Sequence, residues 1–106
     1  MKNTGLENED IRRIKAVFTN YPEVERVLLY GSRAMGTYRP ASDIDLALIG
    51  ENIDSSLQTT IEFELDDLML PYKFDLSIYD RIKNSALQAH IERVGITLYD
   101  AVAVDG

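Results

Sequence analysis

The tightest constraint on this chain lies between Tyr30 and Ile49, where YGSRAMGTYRPASDIDLALI joins two apolar runs and ten residues separate Ser32 from Asp43. Runs rich in β-branched and aliphatic residues read as strands, and a connection carrying Gly, Pro and Ser reads as a loop. VERVLLYG therefore predicts a strand that stops at Gly31, and DIDLALIG predicts a second strand closed by Gly50. RAMGTYRPAS between them predicts a loop with one helical turn after Ser32. Strand residues two apart share a face and lie roughly 6.5 Å apart along it, so Asp43 and Asp45 point one way while Ile44 and Leu46 point the other. Two carboxylates on one face repel each other unless something cationic sits between them.

The flanking segments supply the rest of a small sheet and its helices. Ile11, Ile14, Val17, Phe18 and Tyr21 recur at helical spacing, which predicts a helix over 8–20 with Asn8 as its cap and Pro22 beyond its end. Ser55 followed by Gln58 has the form of a capping box, and Leu57, Ile61, Leu65 and Leu68 make a stripe over a helix at about 55–69. KFDLSIY alternates as a third strand. Asn84 caps a last helix carrying Leu87, Ile91 and Val94, stopped by Gly95, and ITLYD adds a short terminal strand. The order of elements predicts an α/β domain, with helices packed on a small mixed sheet.

Composition narrows the function. At 106 residues with 45% hydrophobic content, the expectation is one folded domain spanning 1–106. With no Cys, disulfides and thiolate metal sites are excluded, and the single His90 excludes a multi-histidine site. There is no apolar run of 18 residues, and MKNTGLENED lacks the apolar core of a signal peptide, so a cytoplasmic location is expected. Residues 51–80 hold eight acids and one base, Lys73, which accounts for the whole net charge of −7. That argues against broad contact with a nucleic-acid backbone, which needs Lys and Arg to displace counterions. Small anionic ligands brought with metal, or a basic protein partner, remain.

The opening stretch carries the chemistry. Asp43 and Asp45 suit a hard divalent cation such as Mg²⁺, which takes a few carboxylates and completes its shell with water and phosphate oxygens. Gly31 lets backbone N–H groups approach a phosphate, and the Ser32 hydroxyl adds a donor. Arg33 and Arg39 bring positive charge suited to phosphate oxygens. Asp75 is the candidate third carboxylate, because an Asp between Phe74 and Leu76 is disfavoured in a strand unless it is used.

Taken together, GSRAMGTYRPASDIDLALIG resembles the signature of the minimal nucleotidyltransferases of the DNA polymerase β-like superfamily: Gly-Ser, about ten residues, Asp-x-Asp, and a third Asp on a later strand. YPEVERVLLYGSR, KFDLSIYD and IERVGITLYD extend the resemblance over essentially the whole chain. It implies a nucleotidyltransferase fold in which Gly31 and Ser32 hold the triphosphate of ATP and Asp43 and Asp45 ligate two Mg²⁺ ions. Asp75 would complete the site and help deprotonate the acceptor hydroxyl. Family members often carry a second Arg where this chain has Met35, a departure that removes one positive charge near the phosphates and leaves the carboxylates intact.

Competing Asp-x-Asp chemistries fit less well. Haloacid dehalogenase-type phosphatases need an apolar strand before the first Asp, whereas RPAS stands there, and no P-loop or Rossmann glycine pattern is present. The chain holds a catalytic core with little room for an acceptor pocket, so a partner is expected to supply one. Relatives of this kind are commonly paired with a small helical HEPN toxin, which implies an antitoxin transferring AMP to a partner hydroxyl, most simply a Tyr, within a hetero-oligomer. A small-molecule nucleotidyltransferase subunit and a non-catalytic antitoxin acting by contact stand as alternatives.

Overall fold

The computed structural model describes residues 3–102, and the outermost positions of the expected 1–106 domain fall outside them. The elements run α1 (Asn8–Phe18), β1 (Arg26–Tyr30), α2 (Ser32–Met35), β2 (Ile44–Ile49), α3 (Ser55–Asp67), β3 (Phe74–Ile78), a 3₁₀ turn (Tyr79–Arg81), α4 (Ser85–Val94) and β4 (Ile96–Asp100). The four strands form one mixed sheet in the order β3-β2-β1-β4. β1 runs antiparallel to both β2 and β4, while β2 and β3 are parallel and joined through α3.

Alternation divides the sheet into two unlike faces. Val27, Leu29, Ile44, Leu46, Leu48, Leu76 and Ile78 point to one side, where they bury Ile14 and Phe18 of α1 and Ile61 and Leu65 of α3. This is the main core. The other face carries Tyr30 and Ala47, on which α4 lays Ile91, with Leu28, Leu87 and Val94 around them. Beyond this small cluster the face bears Asp45 and Asp75. No helix among the described residues is long and apolar enough to cross a membrane.

Several boundaries differ from expectation for local reasons. α1 ends at Phe18 rather than Asn20, because turns close from Tyr21 N–H to the Phe18 carbonyl (3.1 Å) and from Val24 N–H to the Tyr21 carbonyl (3.0 Å). A residue before proline avoids helical geometry, and Tyr21 precedes Pro22. Asn8 is the first helical residue, not the cap; that position belongs to Glu7, whose side chain makes no capping bond. α3 is capped by Asp54, whose Oδ1 accepts from Leu57 N–H at 2.8 Å. A carboxylate one residue upstream displaces the expected Ser55–Gln58 box. Gln58 instead donates through Nε2 to the Leu76 carbonyl (2.8 Å), pinning α3 to β3. Asn84 caps α4 as expected, its Oδ1 accepting from Ala86 and Leu87 N–H, and the Gly95 N–H closes the helix on the Ile91 carbonyl.

Candidate active site

Strand register assembles the site. In the β2–β3 pairing Asp45 lies opposite Asp75, and in the β1–β2 pairing the same Asp45 lies opposite Tyr30. Asp75, Asp45 and Tyr30 thus form one row across three strands, all on the face that α4 only partly covers. Asp43 is the last residue of the loop rather than the first of the strand, because β2 begins at Ile44. Asp43 and Asp75 are exposed and Asp45 is half-buried.

The electrostatics follow from that crowding. The Asp45 carboxyl is pushed up to about 6, first by burial and then by the negative charges of Asp75 and Asp43. Burial pushes the Tyr30 phenol up as well, the Asp75 and Asp45 charges acting in the same direction against its contact with Ser77. Tyr30 Oη lies 3.4 Å from Ser77 Oγ, and its ring meets His90 edge-on at 6.2 Å between centroids. Tyr30, Ser77 and His90 were not expected from sequence in this site. Tyr30 becomes legible only through the strand pairing that sets it beside Asp45.

Gly31 turns the chain from β1 into α2. Its φ of 74° and ψ of −156° belong to a region essentially reserved for glycine. Its bare α-carbon also lies against the Asp45 carboxylate, leaving no room for a side chain. Ser32 follows as the first residue of α2, half-buried at the same end of the sheet. Arg39 is exposed on the loop that leads to Asp43, with its N–H donating to Ser42 Oγ at 2.8 Å.

Arg33 departs from expectation. Its side chain is 1% exposed and turned inward, so its guanidinium does not face the carboxylates as a phosphate ligand. It donates to the carbonyls of Thr4 (Nη1, 2.9 Å), Ser42 (Nε, 3.2 Å; Nη2, 3.0 Å) and Pro40 (Nη2, 3.3 Å). The physical reason is the polar, closed α2–β2 loop, whose inward carbonyls need donors that the loop itself does not provide. Sequence could not separate a phosphate-facing Arg from a loop-filling one.

The residues fit a hard cation by donor chemistry, being anionic oxygens with one carboxyl held in an unfavourable charged state. Among the described residues, however, no three acidic or imidazole groups are close enough together to hold a metal unaided. Asp45 and Asp75 in register, with Asp43 two residues from Asp45, offer a few carboxylate oxygens and no closed shell, which suits Mg²⁺ because it retains water and takes phosphate oxygens.

The sequence matches the family described as Polymerase beta, Nucleotidyltransferase over residues 12–102. No curated protein matches it significantly. Among solved structures it is similar to a chain of a toxin–antitoxin crystallised with AMP-PNP, at 21% identity and a TM-score of 0.71, covering 90% of this chain and 77% of that one. It is also similar to a chain of a tri-AMPylated Shewanella oneidensis HEPN toxin in complex with MNT antitoxin, at 18% identity and a TM-score of 0.68, covering 94% and 77%. A toxin–antitoxin MntA-HepT chain gives 18% identity, a TM-score of 0.66 and coverage of 93% and 77%. At such identities the likeness is one of fold. The family match spans Gly31, Ser32, all three aspartates and every strand. The chain belongs to the polymerase β nucleotidyltransferase family.

Proposed function

We propose that this protein transfers AMP from ATP to a hydroxyl, a tyrosine, of a helical HEPN-type partner and thereby acts as its antitoxin. The observation that carries the reading is the row formed by Asp45 and Asp75 in register, with Asp43 beside it, on an open sheet face where Asp45 is pushed up to about 6 by burial and then by the charges of Asp75 and Asp43. The complexes of similar fold, one holding AMP-PNP and one a tri-AMPylated HEPN toxin, support the choice of donor and partner.

In this reading Gly31 and Ser32 receive the triphosphate at the end of β1, with Arg39 as the nearby cation. Arg33 is withdrawn from that role. Asp43, Asp45 and Asp75 would hold Mg²⁺, two ions in the family's manner, and the metal would supply neutralisation of phosphate charge and orientation of the attacking and leaving oxygens. Asp75, exposed on the edge strand, takes the acceptor's proton as the hydroxyl oxygen bonds to the α-phosphorus. The bond from that phosphorus to the β-phosphate oxygen breaks, and pyrophosphate leaves with its electron pair. The half-open face leaves the acceptor to a partner, and the acidic stretch 51–80 favours one with basic charge. Taking the HEPN partner as the ribonuclease-like toxin that the family resemblance implies, AMP on it would add a negative group beside its RNA site and repel substrate phosphates.

The test is to incubate the protein with Mg-ATP and a HEPN-type protein, taken from its own gene neighbourhood if one is encoded there, then weigh the partner by mass spectrometry. An AMP-sized increment that Asp43→Asn eliminates is the expected result. An unmodified but inhibited partner favours neutralisation by contact; absence of any complex favours a small-molecule acceptor.

A further inference from the structure

Asp43 is a site residue without a strand to hold it. Asp45 and Asp75 are fixed by the ladder, whereas Asp43 sits at the end of a loop that runs from Gly36 and contains Pro40. Its backbone is nevertheless gripped on both sides. The peptide group after it is fixed by Ile44 N–H donating to the Lys73 carbonyl at 2.8 Å. The peptide group before it contains the Ser42 carbonyl, which accepts from both Nε and Nη2 of Arg33.

The grip on that second peptide extends to a part of the chain far from the carboxylates in sequence. Arg33 spends Nη1 on the carbonyl of Thr4, which is itself buried at 2% exposure ahead of α1. The guanidinium is stacked between the rings of Tyr38 (5.2 Å) and Tyr72 (4.9 Å), and the Tyr38 hydroxyl donates to Asn3 Oδ1 at 2.9 Å. Gly5, at φ 75°, lies so close that a Cβ there would overlap the Tyr38 ring and stand 2.9 Å from Arg33 Nη1. Among the described residues no carboxylate pairs with this buried cation, and carbonyl dipoles and ring faces stabilise it. A lysine cannot replace it, since one ammonium on a flexible stem does not span three carbonyls in a plane.

We propose that Arg33 is the positioning residue for Asp43, and that the Asn3–Gly5 strap is part of the same device, locking the Ser42–Asp43 peptide so that the Asp43 carboxylate faces the metal position. The inference rests on Asp43 being a metal-binding carboxylate. Arg33 acts through that carboxylate and touches neither nucleotide nor metal.

The experiment reads Mn²⁺ binding in the presence of a non-transferable α,β-methylene ATP by electron paramagnetic resonance, alongside circular dichroism for folding. Arg33→Lys and Gly5→Ala should both fold and both weaken Mn²⁺ binding at least tenfold, and both should raise the Mg²⁺ concentration for half-maximal transfer. Ile61→Val, a core truncation on the other side of the sheet, controls for lost stability and should leave Mn²⁺ binding unchanged. If Arg33→Lys does not fold, Gly5→Ala and Tyr38→Leu carry the test. A folded Arg33→Lys or Gly5→Ala protein with wild-type Mn²⁺ affinity overturns the proposal. Mn²⁺ binding that survives Asp43→Asn overturns the reading of the site, and this inference with it.

Discussion

Gly31 and Asp45 occupy each other's space: a side-chain carbon at position 31 would overlap Asp45 Oδ2. Gly31→Ala should therefore do two kinds of damage. It forces a non-glycine residue into a sparsely allowed backbone region, costing about 1–3 kcal/mol. It also swings the carboxylate away from the row it shares with Asp75, so transfer should fall by more than about 100-fold, in line with the sensitivity of catalysis to ångström-scale misplacement. Urea denaturation and a transfer assay on the same preparation check both.

The burial of Asp45 beside two other carboxylates gives the metal-free protein a pH signature. Asp45 titrates at about 6 in the folded chain, against an ordinary value of 3.8. The folded state thus holds this proton more tightly, and the associated stability is fully present below pH 4 and lost as pH rises through 6. After allowance for solvent screening at a half-buried group, the loss should be about 1–2 kcal/mol. Asp45→Asn removes the charge and should abolish this component, so the difference between wild type and variant should widen between pH 4 and 7.5 in EDTA. A constant difference across that range would contradict the assignment.

Asp43→Asn and Asp45→Asn should each eliminate transfer while leaving a cooperative thermal transition. In the wild type, Mg²⁺ and ATP together should raise the melting temperature more than either alone, because the carboxylates repel until both arrive; ligand at 100 times its Kd stabilises by about 2.7 kcal/mol. Asp75→Asn should lose more in rate than in this nucleotide-dependent shift, consistent with a role in taking the acceptor proton. Equal losses in both would make it a plain ligand.

The cap of α3 offers a test of the fold alone. Asp54→Ala should cost about 1 kcal/mol, and Ser55→Ala should change stability by only a few tenths. Equilibrium denaturation of the two variants distinguishes the observed cap from the Ser55–Gln58 arrangement that sequence suggests.

Much of this architecture is legible in the chain because its signals are local. The two apolar runs around the Gly-Ser and Asp-x-Asp elements, the helical stripe through Ile61 and Leu65, and Asn84 ahead of α4 each report their element directly. What sequence could not supply depends on distant partners. Arg33 looks like any loop cation until Thr4, Tyr38 and Tyr72 close around it. Tyr30 and Ser77 join the site only because β1 and β3 flank β2, which brings side-chain oxygens 47 residues apart in sequence to 3.4 Å. Asp54 outcompetes Ser55 as a cap by one position, a margin finer than sequence patterns resolve.

The parallel pairing of β2 with β3 makes the whole site a matter of parity. Asp45 and Asp75 meet because an appropriate number of steps along each strand brings both to the same side. Inserting a single residue just ahead of Phe74, with β2 unchanged, would send Asp75 into the apolar layer and put Phe74 or Leu76 in its place. Lengthening the turns around α3 would cost little by comparison, since loop closure depends only weakly on length. Insertions in the turns on either side of α3, ahead of Ser55 or between Leu68 and Pro71, are therefore expected to survive selection wherever α3 docks normally, while a one-residue shift in the pairing of Phe74–Ile78 would silence the protein with every one of its aspartates still present.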